Sequence, residues 1–171
     1  MFSVIIPPKV TLRWGKEYLQ VSGPLGTVIK QKGDLSFAIK NNRLYFLDID
    51  NDPKRHFYLS LIRSIFLGVS KGYRRKLRLI GVGFRAAVTN KLLTLKIGYS
   101  HEVIYNIPVD VEILAAKAKG TLLFLRGKEL HRVCQVAAEI RALRMPDAYK
   151  GKGIHYDKER LVLKKGKREG K

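Results

Sequence analysis

The sequence predicts an α+β fold made of two tandem similar domains, each an antiparallel sheet with one packed helix, followed by an extended basic C-terminal tail. Two observations carry this prediction: two separate stretches contain short alternating apolar segments, and each stretch is followed by a segment with helical spacing. The 171 residues are enough for one domain or two small ones, and a hydrophobic content of 46% is enough for a buried core.

The first predicted domain covers residues 1–72 and opens with strands. Between Val10 and Leu47, short apolar segments alternate with polar positions, as in strands that bury one face. These segments are separated by turn-forming residues, namely Ser22-Gly23-Pro24, Gly33-Asp34 and Asn41-Asn42.

A helix completes this domain. Apolar residues from about Pro53 to Val69 recur at intervals of three and four, which is the period of a helix that packs one face against a core. Asp52 is suited to cap the start of the helix, with Pro53 at its first position. Gly68 or Gly72 is expected to end it.

The second predicted domain covers residues 73–143 and repeats this order. Alternating apolar residues predict strands near residues 77–79, 93–97, 103–107, 111–115 and 122–125, and the spacing from Val133 to Leu143 predicts a helix. Regular structure is expected to end near Leu143, where a basic C-terminal extension, residues 144–171, begins.

The two predicted domains also align with each other. Leu44–Leu47 matches Leu122–Leu125 at an offset of 78 residues, and a histidine opens each helix at a similar offset. We interpret this alignment as an internal duplication of one small α+β unit. The alternative is a chance match of two strand–helix pairs.

The charge of the chain is its most unusual property. It contains 34 basic and 14 acidic residues, which gives a formal net charge of +20. Such a surplus favours a polyanionic partner, because like charges repel one another in a compact fold unless something neutralises them. Nucleic acid is the first candidate, and an anionic membrane surface is the second. No stretch approaches the roughly 20 apolar residues of a membrane span, and Met1 to Val10 lacks the features of a secretory signal.

The sequence lacks the residue patterns that catalysis and metal binding need. The chain has one cysteine, no paired carboxylate motif and no histidine pair with metal-ligand spacing. We therefore predict no enzyme activity, no cofactor, no metal and no small-molecule substrate. Cys134 is expected to be a buried structural residue, and each histidine is expected at a surface or an interface. The "GVGF" of residues 81–84 is expected to form a bulge or a close backbone approach in a strand.

Three basic segments are candidates for phosphate contact. They are "KGYRRKLR" at residues 71–78, "RMPDAYKGKGIHY" at residues 144–156 and "LKKGKREGK" at residues 163–171. In the second segment the glycines would let the backbone approach a sugar-phosphate surface, the lysines would reach phosphates and the tyrosines would stack on bases or pack against the domain. A solvated basic face or tail is the alternative for each segment.

Longer stretches carry a specific resemblance. They are "GVSKGYRRKLRLIGVGFRAAV", "LKIGYSHEV" and "QVAAEIRALRMPDAYKGKGIHY", and the basic end follows them. In these stretches the chain resembles the universal L-six family of large-subunit ribosomal proteins, most specifically from Gly68 to Tyr156. The resemblance implies a structural protein that binds large-subunit ribosomal RNA near the sarcin–ricin loop and the factor-binding region, beside neighbouring ribosomal proteins. The alternative is a stand-alone basic RNA-binding or RNA-processing protein.

The resemblance also implies where RNA is bound. In the family the second domain and the C-terminal segment make most of the contact, which here indicates Arg144, Tyr149, Lys150, Gly151, Lys152, Gly153 and Tyr156, with Ser100 and His101 in the matching "GYSH" loop. The other basic segments add Arg74, Arg75, Lys76, Lys164, Lys165, Lys167 and Arg168 to the predicted RNA-binding set. Met145 departs from the family pattern, because bacterial members typically have arginine there.

The high charge and "GYSHEV" resemble a mitochondrial member of the family more than a bacterial one. The predicted location is therefore a ribosome of the mitochondrial matrix, and the absence of a presequence would suit a protein encoded in the organelle. The bacterial cytoplasm and the plastid stroma are the alternatives.

Overall fold

A computed structural model describes residues 3–31, 36–47, 55–116 and 120–166 of the chain. The chain divides into two compact units, the first formed by Met1–Tyr73 with Lys128–Leu130 and the second by Arg74–Gly127 with His131–Lys171. In its described residues each unit contains one helix and antiparallel strands, so the α+β class with two similar domains is confirmed. The domain limits predicted after residues 72 and 143 stay predictions.

The strands of the first unit form two small antiparallel sheets. Their bounds are β1 Ser3–Ile5, β2 Thr11–Trp14, β3 Tyr18–Gly23, β4 Gly26–Gln31, β5 Phe37–Lys40 and β6 Arg43–Phe46. One sheet has the order β2-β3-β4 and the other the order β1-β6-β5. Because side chains alternate between the faces of a strand, Leu19 and Val21 of β3 are buried whereas Gln20 between them is not.

Helix α1, Arg55–Ser70, covers the core of this unit with one face. Its buried side chains recur at intervals of three and four residues, and they are Leu59, Ile62, Ile65, Phe66 and Val69. The helix ends because Gly72 has a φ of +74° and its N–H donates, like that of Lys71, to the carbonyl of Leu67. Of the two predicted end signals, Gly72 is therefore the one used. The predicted cap, Asp52 with Pro53, lies outside the described residues.

The second unit is built in the same way. Its elements are β7 Tyr73–Ile80, β8 Arg85–Thr89, β9 Leu92–Lys96, β10 Val103–Asn106, β11 Val111–Ala115, β12 Leu122–Gly127, α2 Leu130–Leu143 and β13 Gly153–Tyr156. One sheet has the order β8-β9-β10 and the other the order β11-β12-β7-β13. Helix α2 buries Val133, Val136, Ala137 and Ile140, a spacing that agrees with the predicted helix.

The two units repeat one topology. The sheet β2-β3-β4 corresponds to β8-β9-β10, and β1-β6-β5 corresponds to β7-β12-β11. In both units the helix follows the strand that lies between two neighbours, β6 or β12. The segments that align at an offset of 78 residues begin in these two strands, so the alignment agrees with the similarity of the two units. Their origin by internal duplication stays an interpretation.

Two local predictions were wrong. Residues 81–84 form a turn between β7 and β8 rather than a bulge within a strand, because Gly83 has a φ of +74° and the N–H of Phe84 donates to the carbonyl of Gly81. Regular structure also continues past Leu143, since β13 adds to the free edge of β7. Four residues of β13 show too little periodicity to predict a strand, and their pairing partner lies more than 70 positions earlier in the chain.

Candidate nucleic-acid interface

A closed loop joins α2 to β13 and carries the basic segment that the sequence singled out. Asp147 holds the loop: its N–H donates to the carbonyl of Lys152 at 2.9 Å, its carbonyl accepts from the N–H of Gly151 at 3.0 Å, and its carboxylate accepts from the N–H of Lys150 at 3.0 Å. Hydrogen bonds from the backbone of Lys150 and Tyr149 lower the pKa of Asp147. The loop is thus formed by contacts within the protein, and it exposes Tyr149, Lys150 and Lys152.

Gly151 in this loop and Gly153, the first residue of β13, are both buried, so their backbone is not free to approach a ligand in the way expected from the sequence. A Cβ on Gly153 would lie 2.7 Å from the carbonyl oxygen of Met145 and 2.8 Å from Cα of Pro146. Gly151 has a φ of +63°, which side chains rarely adopt. The structure gives both glycines a role in shaping the loop, and a direct contact of theirs with RNA stays a prediction.

His155 of β13 is the one predicted surface histidine that the structure buries. Its side chain is 6% exposed, and its Nε2–H donates to the carbonyl of Gly151 at 2.7 Å. His56, His101 and His131 are exposed, as expected. His155 therefore joins β13 to the preceding loop.

Asp157, directly after β13, connects the segment to β7. Its Oδ1 accepts a hydrogen bond from Nε of Arg78 at 2.6 Å and lies 3.3 Å from Nζ of Lys76. Burial raises the pKa of the Asp157 carboxyl, but the hydrogen bonds with these two cations outweigh burial, so the pKa lies below its ordinary value.

Glu159 connects the segment to α2. Its carboxylate accepts hydrogen bonds from Nε of Arg141 at 3.2 Å, from Nη2 of Arg141 at 2.5 Å and from the N–H of Tyr156 at 3.0 Å. The guanidinium of Arg141 also lies 5.5 Å from the centre of the Tyr156 ring. The hydrogen bonds between the two side chains lower the pKa of Glu159 and raise that of Arg141.

All three acids in residues 144–166, which we call the cationic segment, are thus engaged within the protein. Six exposed cations of this segment have no carboxylate within 4.0 Å in the part of the chain that the structure describes, namely Lys150, Lys152, Lys158, Arg160, Lys164 and Lys165. Two further predicted contacts, Lys167 and Arg168, lie outside the described residues. The segment therefore presents positive charge that its own acids do not neutralise.

Two of these cations, Lys158 and Arg160, were missed by sequence reasoning. They lie in "DKER", where acidic and basic residues alternate and the formal charges of the four residues sum to zero. The structure separates them, because the two acids of this run turn to β7 and α2 while the cations face solvent.

The predicted residues Ser100, His101 and Arg144 lie around Tyr99, which the sequence reasoning did not select. The Tyr99 hydroxyl donates to the carbonyl of Leu143 at 2.9 Å, and the Arg144 guanidinium carbon lies 4.9 Å from the centre of the Tyr99 ring. The ring of His101 is nearly parallel to that of Tyr99, with an angle of 17° and 6.3 Å between centroids. The aromatic residue in "GYSH" was the signal for this site.

The predicted contacts on β7 divide into two kinds. Arg74 and Arg75 are exposed, and neither has an ion pair with another described residue. Lys76 is half-buried beside Asp157 and lies 5.7 Å from the centre of the Phe124 ring. Lys76 is therefore partly neutralised within the protein, whereas the two arginines keep their full charge at the surface.

Three findings bear on other classes of function. Within residues 3–31, 36–47, 55–116 and 120–166, no group of three or more His, Cys, Asp or Glu side chains is placed to hold a metal ion. In the same ranges no helix combines the length and the apolar character of a membrane-crossing segment. Cys134 is half-buried on α2, which corrects the expectation of a buried residue.

The fold and this surface define a basic α+β protein of two repeated units, and comparison with known proteins gives its family. The family model described as "Ribosomal protein L6" matches residues 80–157. The "Large ribosomal subunit protein uL6" of Bordetella petrii is 36% identical over 98% of this chain and 97% of its own length. The proteins of that name from Karelsulcia muelleri and Bartonella bacilliformis are 39% and 37% identical, each over 96% of this chain and 94% of its own length. The chain therefore belongs to the ribosomal protein L6 family, which confirms the resemblance seen in the sequence.

Membership of this family also bears on the other predictions. Its members are structural proteins without catalytic activity, so the prediction that the chain is not an enzyme is confirmed. The three relatives named above come from bacteria. They fit the predicted bacterial alternative, and the mitochondrial location stays a prediction.

Proposed function

We propose that the chain is a structural constituent of the large ribosomal subunit and that it binds large-subunit ribosomal RNA through the second unit. The observation that carries this proposal is that the acids of the cationic segment are engaged within the protein while most of its cations are exposed. Its acids are engaged with β7, α2 and the loop, while the side chains of Lys150, Lys152 and the other exposed cations form no ion pair within 4.0 Å among the described residues. The family and the names of its relatives support the assignment to the large subunit.

Binding is electrostatic and steric rather than catalytic. The exposed lysines and arginines neutralise phosphates and release the counterions condensed on the RNA. Because Asp147, Asp157 and Glu159 already hold the segment in one conformation, less conformational freedom is lost on binding. Recognition rests on the shape of folded RNA, its phosphates and its 2′-hydroxyl groups more than on base sequence.

The binding site on the RNA is proposed to lie near the sarcin–ricin loop and the factor-binding region, beside neighbouring ribosomal proteins. The motif resemblance from Gly68 to Tyr156 supports this placement. Chemical probing of large-subunit RNA with and without the protein tests it. Protection at the sarcin–ricin loop and its flanking helices is expected, and protection confined to distant helices would overturn the placement while leaving RNA binding intact.

A charge-removal variant tests the contact itself. In Lys150→Ala/Lys152→Ala we expect weaker binding to large-subunit RNA and a smaller salt dependence, because each lost phosphate contact removes roughly 0.7–0.9 from the slope of log K against log salt. The double variant should thus lower the slope by up to about two units. Titrations at several salt concentrations measure this slope.

The matched control also removes two positive charges, but from the first unit. Lys9 and Lys16 are exposed lysines of the first unit and are outside the predicted RNA-binding set. Lys9→Ala/Lys16→Ala should leave the slope near the wild-type value. Equal slopes for wild type and the Lys150/Lys152 variant would show that these two lysines do not contact phosphate.

Ribosomal assembly and stand-alone RNA binding differ in a simple assay. A constituent of the large subunit should sediment with it through a high-salt wash, whereas a transient RNA-binding protein should be released. The compartment of the ribosome, mitochondrial by our sequence prediction, is tested by whether the coding sequence lies in an organellar or a bacterial genome.

A further inference from the structure

The cluster around Tyr99 is unlike the rest of the proposed interface, because it offers planar groups rather than isolated charges. The rings of Tyr99 and His101 are nearly parallel, and the planar guanidinium of Arg144 lies against Tyr99. Tyr99 is 44% exposed, and Ser100 and His101 are exposed as well. A lysine or arginine can contact a phosphate without any neighbouring aromatic ring, so phosphate binding alone does not explain these parallel planar groups.

A hydrogen bond to the end of α2 holds the cluster in place. The Tyr99 hydroxyl donates to the carbonyl of Leu143, one of the carbonyls that a helix leaves without an internal partner at its C-terminal end. Gly98, with a φ of +82°, lets the chain turn into this loop, and a Cβ there would lie 3.1 Å from the Phe84 ring. The aromatic platform, as we call Tyr99, His101 and Arg144, is thus anchored to α2 through the Tyr99 hydroxyl.

The charge around the platform also favours RNA. Glu102 follows His101 directly, but its carboxylate lies 2.9 Å from Nζ of Lys96 in β9, so its charge is balanced. Arg144 contributes a cation to the platform itself. A phosphate-bearing ligand therefore meets no unbalanced acid among the described residues of this loop.

We propose that the aromatic platform stacks on an unpaired nucleobase of the RNA through the exposed ring of His101. This inference rests on the proposed function and names the feature that this part of the interface binds. Every nucleobase has a flat face that stacks on an aromatic ring, whereas a base inside a duplex has both faces covered. The base must therefore be unpaired, as in a loop, a bulge or a junction.

The experiment uses full-length protein and large-subunit ribosomal RNA, and it reads the flexibility of each nucleotide by 2′-hydroxyl acylation. Wild type should suppress acylation at one or two unpaired nucleotides. His101→Ala should restore their reactivity and weaken binding about tenfold, within the range for loss of one base–aromatic stack. His101→Phe should keep both the protection and the affinity, because it keeps a flat ring.

His131 supplies the matched control. It is an exposed histidine of the same unit, and His131→Ala should bind and protect like wild type. Thermal unfolding of each variant shows whether the fold is intact, which is expected because both histidines are exposed.

The outcomes separate the two proposals. If His101→Ala binds RNA with wild-type affinity and protection, stacking is overturned while the proposed function stands. If His101→Phe loses as much as His101→Ala, the imidazole acts through hydrogen bonds and stacking is again overturned. If wild type fails to bind large-subunit RNA, the proposed function itself fails.

Discussion

Glu159→Gln tests whether the acids of the cationic segment hold it in place. The variant removes the charge and nearly keeps the size of a side chain that accepts two hydrogen bonds from Arg141 and one from the N–H of Tyr156. The side chains of Arg141 and Glu159 are 27% and 19% exposed. The contribution of their ion pair to stability should therefore lie between that of an exposed pair and that of a buried pair. Exposed pairs contribute about 0.2–1 kcal/mol, whereas breaking a buried pair costs about 3–5 kcal/mol. We expect the local free energy of opening to fall by about 2 kcal/mol.

Amide hydrogen exchange measures this loss where it occurs. The N–H of Ile154 donates to the carbonyl of Arg144 at 2.9 Å, so it reports whether β13 stays docked even though it does not contact Glu159. Because 1.36 kcal/mol corresponds to a factor of ten, a loss of about 2 kcal/mol speeds exchange at Ile154 by roughly 30-fold. Amides of α1, which belongs to the first unit, should exchange at wild-type rates.

A second variant controls for the change of net charge. Glu112 is an exposed acid of the same unit and has no ion pair with another described residue. Glu112→Gln should leave exchange at Ile154 unchanged. If Glu159→Gln also leaves exchange at Ile154 unchanged, or if the two variants speed it equally, the Arg141–Glu159 pair does not hold β13 in place.

Two further predictions concern the same segment. Gly153→Ala should destabilise the second unit by more than about 2 kcal/mol, because its Cβ would lie 2.7 Å from the carbonyl oxygen of Met145. Thermal unfolding tests this against Gly166→Ala, whose added Cβ would have no neighbour within 4 Å among the described residues. Equal midpoints for the two variants would contradict the prediction. Acid should loosen β13: the folded pKa of Glu159 lies below its ordinary value of 4.5, so its stabilisation is complete above pH 4.5 and is lost as the pH falls through the folded pKa. After correction for intrinsic rates, exchange at Ile154 should therefore speed below pH 4.5 in wild type and less in Glu159→Gln, in which Asp147 and Asp157 still titrate.

Elements with one buried face were predictable from the sequence. The range predicted for β11, residues 111–115, agrees with the structure, and the predicted helix from Val133 agrees with α2, which begins three residues earlier at Leu130. In both elements apolar residues recur with the period of the backbone, so the pattern reports the geometry directly. The end of α1 was predictable only as a choice between Gly68 and Gly72, since the conformation of each glycine decides which one ends the helix.

The candidate site was predictable as a set of segments but not as a surface. The composition of residues 144–156 indicated a basic segment, and the resemblance added the "GYSH" loop. Neither showed that Gly151 and Gly153 are buried, that His155 is internal or that Tyr99 joins His101 to Arg144. Each of these facts depends on contacts between elements that local sequence patterns do not encode.

By itself the sequence determined the α+β class, the two similar domains, the surplus of positive charge and the family. These properties follow from composition, short-range periodicity and specific motifs, all of which are written along the chain. Only the tertiary structure decided which cations stay unpaired. Asp157 meets Arg78 across 79 positions and Glu159 meets Arg141 across 18. A cation stays unpaired only where folding has brought no acid beside it.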